Sequence, residues 1–180
     1  MPPEDAEREA ARLERSGVHE IVLTGIEIAS YGSDLRLRTT LTELLAGLLA
    51  AHPKVRFRLG SLDPRVIDDG FCAALREFDN LAYHFHLSLQ SGCDATLKRM
   101  GRRYTTEEFF ACVQRLRESF PDCSITTDVI VGFPGEDDAE FAQTLAFLRR
   151  CAFSAIHVFP YSPREGTRAA GMDGQLPNEE

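Results

Sequence analysis

Five short apolar runs, each separated from the next by an amphipathic segment, constrain this chain more than any other feature. The runs are 20–25, 55–60, 83–90, 125–131 and 154–159, rich in Val, Ile, Leu and Phe and stopped by Gly, Pro or small polar residues. Between them the apolar positions take helical spacing. Ala6, Ala10 and Leu13 share a face ahead of Gly17, a C-terminal stop. Leu41, Leu44, Leu45, Leu48 and Leu49 follow the capping pair Thr40/Glu43 and end before Pro53. Asp63-Pro64 opens a helix expected to reach about Phe78, another covers Asp94 to Met100, and Thr105/Glu108 caps one that buries Phe109, Val113, Leu116 and Phe120. Asp137 and Glu140 open a last helix with Phe141, Leu145 and Leu148 inward. Strand and helix in alternation with short connections predict βαβ units and a largely parallel sheet. The class is α/β, either an open doubly wound sheet or part of a (β/α) barrel, and in both the ligands lie at the C-terminal ends of the strands.

The 180 residues read as one domain, with a core expected from a hydrophobic content of 43%. A net charge of −8 argues against a broad nucleic-acid surface while leaving room for a local basic patch. No apolar run is long enough to span a membrane, and Met1-Pro2-Pro3-Glu4-Asp5 has no apolar signal core, so a cytoplasmic protein is the expectation. Cys72, Cys93, Cys112, Cys123 and Cys151 have no CxxC or zinc spacing and read as reduced structural thiols.

The strand ends carry the chemistry. They are Thr24-Gly25-Ile26-Glu27, Gly60-Ser61-Leu62-Asp63, Leu89-Gln90-Ser91-Gly92, Gly132-Phe133-Pro134-Gly135 and Phe159-Pro160-Tyr161-Ser162. Glycine admits close approach of a ligand to the backbone, and Gly135, just ahead of a helix, is expected to leave its own backbone open. Ser61, Gln90 and Ser91 add neutral hydrogen-bonding groups, and Glu27 and Asp63 add carboxylates. A pocket for a polar cofactor with few fixed charges is the reading. GxGxxG, GxxxxGK[ST] and GxSxG are all missing, which excludes Rossmann, P-loop and α/β-hydrolase sites. His84 and His86 share one strand face and read as structural or pocket-lining residues, for want of a third metal ligand. Lys98, Arg99, Arg102 and Arg103 form the one dense basic cluster, which is either a contact for RNA phosphates or a solvated helix end.

Five segments together, 23–32, 87–94, 97–105, 128–136 and 157–162, resemble the radical S-adenosylmethionine (SAM) methylthiotransferases in order and spacing. The likeness covers nearly the whole chain from about Glu20 and is strongest to the branch that methylthiolates threonylcarbamoyladenosine beside the tRNA anticodon. It implies a partial (β/α) barrel of the radical SAM type over residues 1–162, its first strand missing, and a tail or linker over 163–180. In that family a CxxxCxxC loop holds a [4Fe–4S] cluster; the resemblance puts this loop and the barrel's first strand before Met1, an N-terminal domain with a second cluster before those, and an RNA-binding TRAM domain after the tail. The cluster ligands are therefore not among these residues, and the segment alone is expected to be inactive.

The resemblance also implies the chemistry. SAM bound to the cluster is reduced to a radical that takes hydrogen from a base carbon; the second cluster supplies sulfur and another SAM the methyl group. It gives Thr24, Gly25 and Glu27 to the methionine end of SAM, Ser61, Gln90 and Ser91 to the ribose and substrate side, and Asp128, Gly132 and Phe133 to adenine. Phe159 and Tyr161 complete the adenine pocket by stacking. Glu136 falls one residue later than in the general radical SAM pattern and reads as a neighbour of the helix N-cap. Lys98, Arg99, Arg102 and Arg103 would meet tRNA. A radical SAM enzyme of other specificity and a non-catalytic SAM- or RNA-binding module are the alternatives.

Overall fold

The computed structural model describes residues 1–32 and 39–176; Ser33 of the loop after the first strand and the last four residues of the tail lie outside them. The elements run α1 (Pro3–Arg15), β1 (Glu20–Leu23), α2 (Leu41–Ala51), β2 (Arg56–Leu59), β3 (Ser61–Leu62), α3 (Asp69–Leu75), β4 (His84–Gln90), α4 (Asp94–Arg99), α5 (Thr106–Ser119), β5 (Ser124–Val131), α6 (Asp138–Cys151) and β6 (Ala155–Pro160). They form two compact units: Met1–His86 with Gln114–Ser124, and Leu87–Val113 with Ile125–Glu180.

In the first unit β1 and β2 pair in parallel, Glu20 opposite Arg56 and Leu23 opposite Leu59, and Phe57 bridges to Leu81. The expected capping box on α2 is formed, with Thr40 N–H donating to Glu43 (2.8 Å) and Glu43 N–H to Thr40 Oγ1 (3.2 Å). All five leucines of α2 are buried; at about 2 kcal/mol for each buried Leu side chain, that face is the main reason the helix forms. Phe71, Phe85 and Phe120 are fully buried and pack ring against ring. The Asn80 amide nitrogen, 3.1 Å from the carbonyls of Leu49, His52 and Val55, ties off the end of α2 and the turn behind Pro53. One helix from Asp63 to Phe78 was expected, and two elements are found. Asp63 accepts from Arg65 N–H and caps a single 3-10 turn, Pro64–Val66, while Asp68 accepts from Phe71 N–H and caps α3. Two competing N-caps five residues apart divide the segment.

In the second unit the end of β4, then β5, then β6 are neighbours in that order. β5 and β6 pair in parallel from Thr126 opposite Ala155 to Val131 opposite Pro160. Thr127 is fully buried; its hydroxyl donates to Leu87 O (2.6 Å) and accepts from Leu89 N–H (3.2 Å). α6 turns inward a face shifted from the expected Phe141, Leu145 and Leu148: Thr144, Phe147 and Cys151 are buried and Leu148 is half-buried, whereas Phe141 and Leu145 are 40% and 38% exposed. The cause is Gly92. A Cβ there would lie 2.8 Å from Phe147 Cβ and 2.9 Å from Thr144 Cα, so α6 sits directly on the backbone that follows β4. Thr144 Oγ1 reaches Gly92 N–H and Ser91 Oγ, each at 3.2 Å. Only a small residue with a hydroxyl satisfies those buried groups at that approach.

Candidate functional site

In the first unit Leu23, Thr24, Gly25, Ile26 and Glu27 line a cavity of about 430 Å³ whose remaining wall is mostly apolar side chains of α1, β1, α2 and Phe57, with Glu9, Ser30 and Tyr31 as its further polar residues. Gly60 closes on the same strand end: its N–H donates to Leu23 O (2.8 Å), and a Cβ there would stand 3.2 Å from Thr24 Oγ1. The two parallel strands thus deliver Thr24 and Gly60 side by side. Ser61 is exposed on β3 and is not part of that cavity wall. Along the strands Arg58 pairs with Glu20 (2.7 Å), which holds the Glu20 carboxyl below the ordinary carboxylate range. Burial, then the Arg58 and His86 charges, holds His84 below the usual imidazole value.

In the second unit the loop after β5 is tightly built. Gly132 (φ +72°) and Gly135 (φ +77°) both take the left-handed conformation, which glycine adopts without strain. Glu136, more than nine-tenths buried, accepts from Gly132 N–H at 2.6 Å through Oε2, so its carboxylate closes the loop onto itself. It sits beside the N-cap, Asp137, which accepts from Glu140 N–H (2.8 Å). Burial pushes the Glu136 carboxyl up, against the pull of the Gly132 and Phe133 backbone donors. Its Oε1 and the hydroxyl of Tyr161 are buried and have no hydrogen-bond partner among the described residues. Phe133 packs edge-on against Tyr161, centroids 5.3 Å apart, and Tyr161 N–H donates to Val131 O (2.8 Å). Gly132, Phe133 and Tyr161 are therefore gathered at one place. Phe159 stands opposite Ile130, half exposed, and His157 Nδ1 lies 3.3 Å from Asp128 Oδ1.

Three candidates have duties that sequence reasoning missed. Gly135 N–H is not open: it donates to Gly174 O (2.9 Å), which brings the tail onto this loop and Leu176 to 3.6 Å from the position of a Gly132 Cβ. The tail has no periodicity to announce this; the signal was a glycine at 174 with φ +76°. Ser91 is fully buried, its hydroxyl shared between Thr144 and Cys93 N–H. Arg99 is held by Glu140, by the Pro134 carbonyl (3.2 Å) and by Thr96. Lys98, Arg102 and Arg103 are exposed beside it. Gln90 ends β4 at φ +73°, a costly conformation for a residue with a side chain.

Parallel strands with polar groups and glycines gathered at their C-terminal ends define an α/β protein of the kind that places its ligands there. The model of the radical SAM superfamily matches residues 1–148, and the chain belongs to that superfamily. It is 42% identical over 176 residues to the threonylcarbamoyladenosine tRNA methylthiotransferase of Thermotoga maritima, covering 98% of this chain and 40% of that protein. It is 38% identical over 177 residues to the tRNA-2-methylthio-N(6)-dimethylallyladenosine synthase of Caldicellulosiruptor saccharolyticus, covering 98% and 38%. The chain thus spans about two fifths of the length of these curated relatives. Among solved structures it is similar to the coproporphyrinogen III oxidase of Escherichia coli, a radical SAM enzyme (TM-score 0.69, 20% identity, 95% of this chain and 40% of that one). Methylornithine synthase is similar as well (TM-score 0.63, 17% identity, 97% and 48%). The fold is the α/β partial barrel of the radical SAM type.

That family uses SAM and a [4Fe–4S] cluster. The described residues do not fit the cluster: no three His, Cys, Asp or Glu among them converge on a metal position, and Cys72, Cys93, Cys112 and Cys151 are buried in packed elements. They do fit a nucleoside, because the loop after β5 combines glycine backbone, two aromatic rings and two buried polar atoms in want of a partner.

Proposed function

We propose that this chain is the central, SAM-binding segment of a tRNA methylthiotransferase that acts on a modified adenosine next to the anticodon. The observation that carries the reading is identity of about 40% with two kinds of tRNA methylthiotransferase along nearly the entire chain. Bound SAM supplies the hydrogen-abstracting chemistry. This chain's own contribution is to bind, orient and keep water away. Thr24, Gly25 and Glu27 offer the first unit's strand end to the methionine portion, with Ser61 on the ribose or substrate side.

In the second unit Gly132, Phe133, Phe159 and Tyr161 offer backbone and ring surface to adenine, with Asp128 and Gln90 as polar neighbours and Ser91 bracing the turn behind Gln90. Lys98, Arg102 and Arg103 offer charge to tRNA phosphates, with Arg99 fixing the helix that carries Lys98. The cluster ligands, a domain with a second cluster and a TRAM domain are proposed to come from other parts of the protein, and the enzyme to work in the cytoplasm. Equilibrium dialysis with labelled SAM tests the site. Binding that weakens at least tenfold in Gly132→Val supports it, and no saturable binding by a protein that includes the cluster ligands overturns it.

A further inference from the structure

The loop after β5 uses its backbone donors within itself, with one exception. Gly132 and Phe133 N–H donate to the Glu136 carboxylate, Pro134 has no N–H, and Glu136 N–H donates to Phe133 O (2.8 Å). That leaves Gly135 N–H, and a carbonyl of the tail takes it, Gly174 O at 2.9 Å. Gly174 stands at φ +76°, and a Cβ there would lie 3.0 Å from Gly135 N and 3.1 Å from Gly135 Cα, so the tail rests directly on the loop backbone. Two residues on, Leu176 Cδ1 comes within 3.6 Å of the position of a Gly132 Cβ. The tail that makes these contacts is folded on itself. Thr167 Oγ1 donates to Arg164 O (2.7 Å) and accepts from Ala170 N–H (3.4 Å), and the Gln175 amide nitrogen donates to Ala169 O (2.9 Å) and Met172 O (3.0 Å). Between this turn and Tyr161, residues 162–168 are exposed, with Gly166 at φ +80°. The segment therefore leaves β6 at the site and returns to it as a preformed turn on an exposed connection.

We propose that residues 164–176 form a strap over the nucleoside site of the second unit, and that the docked strap and a bound adenine exclude one another. The inference rests on the proposed function, which gives the loop after β5 to the adenine of SAM, and adds regulation to that site. Adenine ring nitrogens are hydrogen-bond acceptors, as Gly174 O is, so both call on the Gly135 N–H. The apolar face of the base suits the glycine surface at 132, which Leu176 approaches in the docked strap. Strap and base thus compete for one donor and one surface. A single backbone hydrogen bond with a leucine that is 44% exposed keeps such a segment closed on the order of ten to one. A site open about a tenth of the time binds with an apparent dissociation constant about tenfold above that of the open site. The exclusion is reciprocal: SAM holds the strap off as strongly as the strap opposes SAM.

Equilibrium dialysis with labelled SAM, on a protein that includes the cluster ligands, compares the parent with Gly174→Val, whose side chain has no room 3.0 Å from Gly135 N. The expected result is SAM bound about tenfold tighter by the variant, with hydrogen exchange at its SAM-free Gly135 amide faster by a similar factor. Gln175→Ala leaves Gly174 and the loop in place but unties the turn, and should move both quantities in the same direction. Circular dichroism shows whether each variant keeps its fold, and where Gly174→Val does not, Gln175→Ala decides. In the parent, photo-crosslinking to residues 132–136 from a benzophenone side chain placed at 176 should fall as SAM saturates. An affinity within about twofold of the parent or weaker, or crosslinking that SAM leaves unchanged, overturns the strap's role and leaves the site standing. SAM bound by neither parent nor variants overturns the proposed function and this inference together.

Discussion

Replacing Gly92 by alanine perturbs the contact that sets α6 against the end of β4. The new methyl carbon would lie 2.8 Å from Phe147 Cβ, 2.9 Å from Thr144 Cα and 3.0 Å from Thr144 O. Two of these are backbone atoms and the third is fixed to one, so no side-chain rotation makes room and the helix must retreat. Such overpacking costs about 1–3 kcal/mol. Retreat also lengthens the two 3.2 Å contacts of Thr144 Oγ1, to Gly92 N–H and Ser91 Oγ, which are buried and together worth about 2 kcal/mol. Gly92→Ala should therefore destabilise by about 3–4 kcal/mol, lowering the midpoint of urea unfolding by about 1.5–2 M at an m-value of about 2 kcal/mol/M.

Gln90→Gly, two residues away, is the internal comparison. At φ +73° it relieves strain and should be neutral or stabilising by about 1 kcal/mol. Circular dichroism across a urea series reads both. A Gly92→Ala midpoint within about 0.25 M of the parent would refute the packing argument, and with it the reason given for the inward face of α6.

The other predictions concern charge and the tail. Arg99→Ala should cost about 2 kcal/mol in the same assay, because it takes the guanidinium from the Glu140 carboxylate, which keeps only the Thr96 hydroxyl as a side-chain donor, and from the Pro134 carbonyl. Lys98→Ala, Arg102→Ala and Arg103→Ala should each change stability by less than about 0.5 kcal/mol and lower the salt slope of tRNA binding by about 1 in filter-binding titrations. Because burial raises the folded-state pKa of Glu136, its stabilising contribution is full below the ordinary value of 4.5 and is lost as pH rises through the raised value. Urea unfolding from pH 4 to 8 should show that loss in the parent and not in Glu136→Gln. Gly174→Val, which sets a side chain 3.0 Å from Gly135 N at φ +76°, should free the tail and speed hydrogen exchange at the Gly135 amide at least tenfold.

Periodicity carried the βα alternation because each strand and helix has its own local signal: the Leu face of α2, the capping boxes at Thr40 and Thr105, the β-branched run before Gly132. What it missed was set by approach between elements. Phe141 and Leu145 were expected inward, yet the stripe with Thr144, Phe147 and Cys151 is the buried one, since the contact with Gly92 is non-local and invisible to a single helix's pattern. The Asp63 helix was divided by a second cap, Asp68, that propensity alone did not rank above continuation. At the site, the strand-end loops were legible as motifs, whereas the duties within them were not. Ser91 and the Gly135 N–H looked free for a ligand and are engaged by Thr144 and Gly174. The pairing of His157 with Asp128 was not legible either, because only the parallel register of β5 and β6 puts them side by side.

The central claim, that this chain is the core of an enzyme that methylthiolates a modified adenosine beside the anticodon, is tested most directly in tRNA. Nucleosides from cells with the gene disrupted, resolved by liquid chromatography and mass spectrometry, should lack one 2-methylthio-adenosine derivative and accumulate the same nucleoside without the methylthio group. An unchanged set of methylthiolated nucleosides would contradict it.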